Sequence, residues 1–216
     1  VGRRGGHATE SRDPDGLLTD RQIQAELNVV GPMQSRLWLA VDVLRERFAG
    51  TDFDQTILQG KAGLRPADQL KGWVMFWSGD EIDYTHARPA TDWGFGPGVT
   101  WTPTPRVEVV SSWIRTALSA GGGRMFAADL IDARVQLALT PRTHLRWPVQ
   151  AQLCDFEPSR YADPGEVPGE YREYFSQLLF RYRASPETVV FVGTTDRRLG
   201  DHVTPTTVHD RTYFLK

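Results

Sequence analysis

The stretch from Phe76 to Pro105, FWSGDEIDYTHARPATDWGFGPGVTWTPTP, decides the predicted fold. Aromatic and β-branched residues surround Gly79 and Asp80, which favours a strand over Leu70 to Tyr84. A loop with Pro89 and the glycines of GFGPG follows. GVTWT, from Gly98 to Thr102, then predicts a second strand. The stretch therefore predicts two strands joined by a long loop.

Helices are predicted on both sides of this stretch. Thr19 or Asp20 caps a short helix through Val30, which Gly31-Pro32 ends. Thr104-Pro105 is typical of a helix start, and an apolar face at helical spacing predicts a helix over Pro105 to Ala120, with Gly121 at its C-terminal end. SRLWLAVDVLRERF, from Ser35 to Phe48, fits either a helix or a buried strand over Leu37 to Leu44.

The remaining segments are mostly extended. Thr51 to Gln69 is polar and turn-rich and predicts a surface connection. Ser176 to Arg183 fits a strand or a helix. Strands are predicted at four further places: Arg134 to Thr140, Val149 to Leu153, Thr188 to Gly193 and Thr207 to Leu215. Short strands with one or two helices in connections favour a mainly β sandwich over alternating βαβ units.

Composition excludes several classes of protein. The 216 residues carry a net charge of −2 and 40% hydrophobic residues, which excludes a disordered chain and suits one soluble domain. The lone Cys154 excludes an intrachain disulfide framework and a cysteine zinc site. Since no apolar run approaches the roughly 20 residues of a membrane helix, no membrane span is expected. Basic residues are not clustered, so RNA contact is expected to be weak and nonspecific.

Several groups of residues are candidate functional sites, and each also has a purely structural interpretation. Asp83, Tyr84 and His86 suggest acid–base chemistry, but they also suit a strand end. Asp201-His202 and His209-Asp210 lack the spacing of a zinc motif. The glycines at 94–98 and 121–123 do not continue as phosphate loops, and Ser111-Ser112 lacks a nucleophile elbow. The tryptophans suit sugar or base stacking, or equally an interface or a β core: Trp38, Trp73, Trp77, Trp93, Trp101, Trp113 and Trp147.

No catalytic, cofactor-binding or metal-binding residue is therefore assigned, and no enzyme activity is expected. The first residue is Val1, which suggests proteolytic processing or a non-AUG start codon. The polar opening, Val1 to Gly16, has little apolar surface with which to dock on its own domain. We expect an extended N-terminal arm over residues 1–19, held by neighbouring subunits, and a single domain over residues 20–216.

Two blocks resemble the picornavirus-like capsid proteins. In the first, Trp77, Gly79 and Gly98 with Pro103 and Pro105 occupy the places of an aromatic-W-x-G strand followed by a strand that ends on prolines. The second block, Ala128 to Val149, continues the likeness through further residues: Asp129, Leu137, Leu139, Pro141, Arg146 and Trp147. The helical character of Leu17 to Phe48 and the last forty residues depart from the family.

The resemblance implies an eight-stranded antiparallel jelly-roll sandwich with one or two helices in connecting segments. It implies a coat protein of an icosahedral positive-strand RNA virus, cut from a polyprotein, located in the virion and assembled with sister capsid subunits. Two alternatives stay open: a bacteriophage tail or neck assembly protein, and a hydrolase or nuclease with an unrecognised site. The first would show a helix-flanked antiparallel sheet, and the second a pocket with converging titratable side chains.

Overall fold

The computed structural model describes residues 2–12, 18–201 and 207–216, and nearly all of them lie in one antiparallel sheet. The twelve strands pair in chain order, each with the strand before and the strand after it. They are β1 Gly2–Arg12, β2 Leu18–Val30, β3 Arg36–Phe48, β4 Thr51–Ala67, β5 Leu70–Asp83, β6 Arg88–Thr104, β7 Val107–Ala120, β8 Gly123–Thr140, β9 Thr143–Phe156, β10 Glu170–Arg183, β11 Val189–Asp201 and β12 Thr207–Leu215.

The described residues contain no α-helix, and their only helical elements are two short 3₁₀ turns, Pro158–Arg160 and Pro164–Glu166. No helix in this part of the chain is long and apolar enough to cross a membrane. The mainly β class is confirmed, but the eight-stranded jelly roll with helices is wrong. A jelly roll packs two sheets over one core, whereas here a single sheet continues without a crossover.

The predicted helices are strands because their residues alternate between two faces. In the segment predicted as a helix through Val30, Ile23 and Leu27 lie opposite Val43 and Leu39 of β3. The segment predicted as a helix over Pro105 to Ala120 forms β7. Its β-branched residues, among them Val109, Val110 and Ile114, favour an extended backbone. The predicted surface connection over Thr51 to Gln69 is mostly β4, and both ambiguous segments are strands.

Hairpin turns set the register between neighbouring strands. Ala49 and Gly50, between β3 and β4, have φ of 49° and 81°, and Gly121 and Gly122, between β7 and β8, have φ of 59° and 79°. Two successive positive φ values are typical of the type I′ turn, whose twist matches that of the strands it joins. Gly121 therefore belongs to a hairpin, where the sequence had predicted the end of a helix.

The two ends of the sheet differ in the length of their connections. We call the proximal end the one where β1 begins and β12 ends; its turns include 68–69, 105–106 and 141–142. The distal end carries the longest connection, 157–169, which joins β9 to β10. The backbone N–H of Glu157 donates to Met125 O at 2.8 Å, so this connection folds back on the start of β8. Tyr161 packs there against a small core of Ala90, Ala120 and Met125.

The first strand pairs with the protein's own chain. Arg4 lies opposite Leu27 and Ala8 opposite Ile23 in the β1–β2 ladder. This ladder satisfies the backbone of Gly2–Arg12 on one side without a neighbouring subunit, which removes the physical argument for an arm buried between subunits. Residues 1 and 13–17 of the expected arm lie outside the described residues. The division into an arm, 1–19, and a domain, 20–216, stays a prediction.

Glycines on β6 make room for two tryptophans of β5. Trp77 pairs with Gly94, and Trp73 pairs with Gly98. A Cβ placed on Gly94 would lie 2.0 Å from Trp77 Cζ2, and one on Gly98 would lie 2.3 Å from Trp73 Cε2. The indole rings therefore lie across the neighbouring strand, and no larger residue fits beneath them.

We predict that Gly94→Ala destabilises the fold by about 1–3 kcal/mol, because the added methyl must displace the Trp77 ring. The measurement is the free energy of unfolding from a urea titration. The matched control is Gly165→Ala, since a Cβ at Gly165 meets nothing within 4 Å. Equal unfolding free energies for the two variants would contradict the packing of Trp77 over Gly94.

Candidate functional site

The two faces of the sheet have opposite polarity, and the more exposed face is the apolar one. The apolar face is defined by the side chains in register with Ile23 of β2, and the polar face by those in register with Gln24. On β2 the apolar face carries exposed Ile23, Leu27 and Val29. The polar face carries less exposed residues in between: Gln22, Gln24, Glu26 and Asn28.

The same division continues across the sheet. Exposed members of the apolar face include Leu37, Val41, Val43, Leu58, Trp93, Phe95, Val99, Trp101, Trp113, Ile131, Trp147, Tyr174, Leu178, Tyr182, Val192, Tyr213 and Leu215. Hydrogen-bonded side chains occupy the polar face instead, including Asp42, Gln59, Asp92, Thr116, Glu108, Gln136, Asp132 and Gln150. The polar face is the candidate functional surface, because its groups are ordered by one another.

Asp42 is the most buried of these polar groups, with 2% of its surface exposed. Its Oδ1 accepts hydrogen bonds from the side-chain amides of Gln22 and Gln24, both at 2.8 Å, and its Oδ2 accepts one from Gln59 at 2.5 Å. Three donors from two neighbouring strands surround the carboxylate, so its burial is compensated by hydrogen bonding.

We predict that Asp42→Ala lowers the free energy of unfolding by about 1–3 kcal/mol, since three amides lose their common acceptor. Asp54→Ala is the control, because the Asp54 side chain is 79% exposed and its ion pair with Arg45 is 3.6 Å long. Both variants are compared by urea unfolding. An Asp42 variant as stable as the Asp54 variant would show that the three amides find other partners at no cost.

A second polar cluster lies at the distal end, where β5 turns into β6. Asp83 is buried, and its Oδ2 accepts a hydrogen bond from Arg88 Nε at 2.7 Å and lies 2.8 Å from His86 Nδ1. Its Oδ1 accepts the backbone N–H of Thr85 at 3.1 Å. The structure thus brings Asp83 and His86 together, as an acid–base pair would require. Within the described residues no Ser, Thr or Cys side chain is hydrogen-bonded to this pair, which anchors a turn.

Tyr84, the third residue of this candidate acid–base group, points toward β3 instead. Its hydroxyl donates to both carboxylate oxygens of Glu46, at 3.0 and 3.1 Å, and its ring packs edge-on against Phe48. Burial, the hydrogen bond to Glu46 and the negative charges of Glu46, Glu81 and Asp20 raise the pKa of Tyr84 to about 12. The three carboxylates make the distal end of the polar face acidic.

We predict that the protein loses stability as the pH rises from about 10 toward about 12, relative to the Tyr84→Phe variant. The raised pKa favours the neutral phenol in the folded state, so this contribution is complete below the unfolded pKa of 10.0 and is lost above the folded one. Urea unfolding of both proteins at several pH values measures the difference. A constant difference across this range would contradict the contact with Glu46.

The other candidate residues do not form a site. Gly94, Gly96 and Gly98 face tryptophans and Ile114 rather than an open cradle. His202 lies outside the described residues, whereas His209 is exposed on β12. Ser111 and Ser112 lie on β7, on opposite faces. In the described part of the chain no group of three or more His, Cys, Asp or Glu residues is placed to hold a metal ion.

The seven tryptophans divide between the two faces. Trp93, Trp101, Trp113 and Trp147 are exposed on the apolar face. Trp77 is half-buried on the polar face, where its indole N–H donates to Asp92 at 2.6 Å, and Trp38 donates likewise to Glu26 at 2.9 Å. This surface was not predicted, because its sequence signal is not a chemical motif but the alternation of Gln, Glu and Asn with aliphatic residues over 22–29.

Comparisons with known proteins give one structural match. No family model and no curated protein matches the chain. A structure described as the NanC porin in a rhombohedral crystal form aligns over 99% of this chain and 96% of that chain, with 11% identity and a TM-score of 0.38. A match at that TM-score and identity carries no argument about this chain.

The resemblance to capsid proteins is wrong, since the described residues form a single twelve-stranded sheet in place of the eight-stranded jelly roll that it implied. The expectations of a coat-protein function, polyprotein release and a virion location depended on that resemblance and are wrong with it. Sister subunits and weak RNA contact stay untested predictions.

Proposed function

We propose that this chain is a membrane-spanning β-barrel protein whose polar face lines a lumen for small hydrophilic solutes. The observation that carries the proposal is the reversed polarity of the sheet. A sheet that folds in water hides its apolar face, but here the aliphatic and aromatic residues are exposed strand after strand. A lipid-facing exterior and a polar interior are the pattern of transmembrane barrels.

The length of the apolar face fits a bilayer. Trp93 and Trp101 on β6 are eight residues apart, as are Tyr174 and Tyr182 on β10. Eight residues at about 3.3 Å each span ~26 Å along a strand. A strand tilt of about 40° leaves ~20 Å along the membrane normal, close to the roughly 25 Å apolar band of outer-membrane barrels. Aromatic residues at both edges of such a band form its interfacial girdles.

Most charged residues of the apolar face lie toward the distal end, but an ion pair on β7 and β8 lies within the apolar band. Across β2, β3 and β4 the register aligns Arg21 with Arg45 and Arg45 with Asp54, all toward the distal end. On β7 and β8, Arg115 lies opposite Asp129 at a distance of 3.3 Å between the charged groups, and because Arg115 also lies opposite Phe95 this pair is within the band. The strands would thus emerge from the membrane distally, where the longest connection lies, as extracellular loops do in these proteins.

The proposal requires that β1 and β12 pair with each other, because unpaired backbone groups are not tolerated in lipid. Among the described residues no backbone ladder joins these two strands. β1 runs from the proximal to the distal end and β12 runs back, so the closing pair would be antiparallel like all the others. Twelve strands closed in this way give a cylinder about 24 Å across between backbones.

We predict that Leu178→Arg destabilises the fold in lipid bilayers, lowering the free energy of unfolding by about 2–4 kcal/mol. Leu178 lies midway between Tyr174 and Tyr182 on the apolar face and is 42% exposed, so the bilayer midplane would surround it. The matched control is Gln177→Arg, one residue away on the polar face, which should change folding little. Refolding of full-length chains into vesicles, followed by urea titration, measures both.

In a water-soluble protein the same exposed Leu178 could be replaced by arginine at little cost. Equal stability of the two variants, together with failure of the wild-type chain to enter vesicles, would therefore overturn the proposal. Migration in gels with and without heating provides a separate test of barrel closure, because a closed barrel stays compact in detergent until it is heated. The absence of catalytic activity remains part of this proposal.

A further inference from the structure

Arginines on three neighbouring strands form a diagonal row on the polar face. In the β8–β9 ladder Arg146 lies opposite Gln136, two residues from Arg134, and in the β9–β10 ladder Arg181 lies opposite His144, two residues from Arg146. Diagonal neighbours of this kind are about 7–8 Å apart, within reach of long side chains. We call Arg134, Arg146 and Arg181 the arginine row; it lies toward the proximal end.

The charge of the arginine row is mostly uncompensated. Arg134 Nη2 lies 3.3 Å from Glu108 Oε1, which also accepts a hydrogen bond from Gln136 at 2.7 Å. Among the described residues no ion pair or side-chain hydrogen bond engages the guanidinium of Arg146 or Arg181. The Nε atoms of Arg134 and Arg181 are moreover buried without a hydrogen-bond partner. Buried donors of charged groups without partners are costly and indicate a missing acceptor.

A cleft of about 260 Å³ adjoins this row. Its lining includes Arg146, His144, Gln136 and Arg106, which offer several hydrogen-bond donors, and also Glu108, whose carboxylate is paired with Arg134. The cleft is smaller than the roughly 300–1,000 Å³ of drug-sized ligand sites. It suits a small solute with an anionic group.

A group of carboxylates lies at the opposite end of the polar face. Asp20, Glu46 and Glu81 lie near one another around Tyr84 at the distal end. A small anion would be repelled there and attracted at the arginine row. The carboxylates on β2, β3 and β5 therefore lie at the distal end, and the arginine row on β8, β9 and β10 lies at the proximal end, where Glu108 pairs with one of its members.

We infer that the arginine row binds small oxyanions, carboxylate or phosphate groups, and makes the proximal end of the polar face the anion-selective part of the proposed lumen. Guanidinium groups present paired N–H donors in a plane that matches both kinds of oxyanion. The selectivity half of this inference rests on the proposed function, whereas the binding half concerns the polar face alone.

The test titrates the full-length chain in detergent micelles with inorganic phosphate and, separately, with acetate, at constant ionic strength, by calorimetry. We expect saturable binding of at least one anion, weakened about tenfold in the Arg146→Gln/Arg181→Gln double variant. The two titrations compare phosphate with carboxylate. Arg21→Gln, which removes an arginine from the apolar face, should bind as the wild type does.

One further variant and one further measurement separate the outcomes. Arg146→Lys/Arg181→Lys keeps the charge but loses the planar donors, so it should bind more weakly than the wild type and more tightly than the glutamine variant. The reversal potential across planar bilayers in a salt gradient should show anion preference that the glutamine variant loses. Binding without conductance would support the arginine row and contradict the proposed lumen. Two results would overturn anion binding by the arginine row. One is conductance without any detectable binding of phosphate or acetate, and the other is equal binding by the wild type and the glutamine variant.

Discussion

The continuous antiparallel ladder is the constraint on which the rest of the structure depends. Because each strand pairs with its neighbours in chain order, one register fixes which side chains share a face from β1 to β12. A shift of a single residue would exchange the two faces of a strand. Type I′ turns such as Ala49-Gly50 prevent that shift between adjacent strands. The opposed polarity of the faces therefore depends on the pairing of the backbone.

The polar face is stabilised by hydrogen bonds between its own groups and, at the distal end, by the small core of Ala90, Ala120 and Met125. Asp42 is one example, since it accepts hydrogen bonds from three glutamine amides and so joins side chains of β2, β3 and β4. Asp92 is a second example. It accepts hydrogen bonds from the indole N–H of Trp77 and from the hydroxyl of Thr116, and so joins β5, β6 and β7. Such networks order a surface and still leave it polar. The large apolar residues are then free to occupy the other face, where many of them are exposed.

The sequence predicted the class of secondary structure better than the architecture. β12 was predicted at its observed bounds, strands within β8 and β9 were predicted from alternation, and the strand predicted over Thr188 to Gly193 overlaps the start of β11. β2 was predicted as a helix because Gln, Ala, Glu and Leu have helical propensity, although Ile23, Ala25, Leu27 and Val29 alternate with polar residues. β7 was predicted as a helix because apolar residues on both its faces, such as Val110, Trp113 and Ile114, imitate helical spacing.

The candidate site, too, could not be predicted from sequence motifs, because it depends on which face of the sheet is exposed. Alternation alone does not say which face is exposed, and the usual assumption places the apolar residues inside. The absence of about 20 consecutive apolar residues excludes a membrane helix, but a membrane-spanning strand needs only about 9–11 residues. The criterion therefore did not bear on the proposed barrel. The arginine row was equally hidden, since Arg134, Arg146 and Arg181 are far apart in the chain. Only the register of β8, β9 and β10 makes them neighbours.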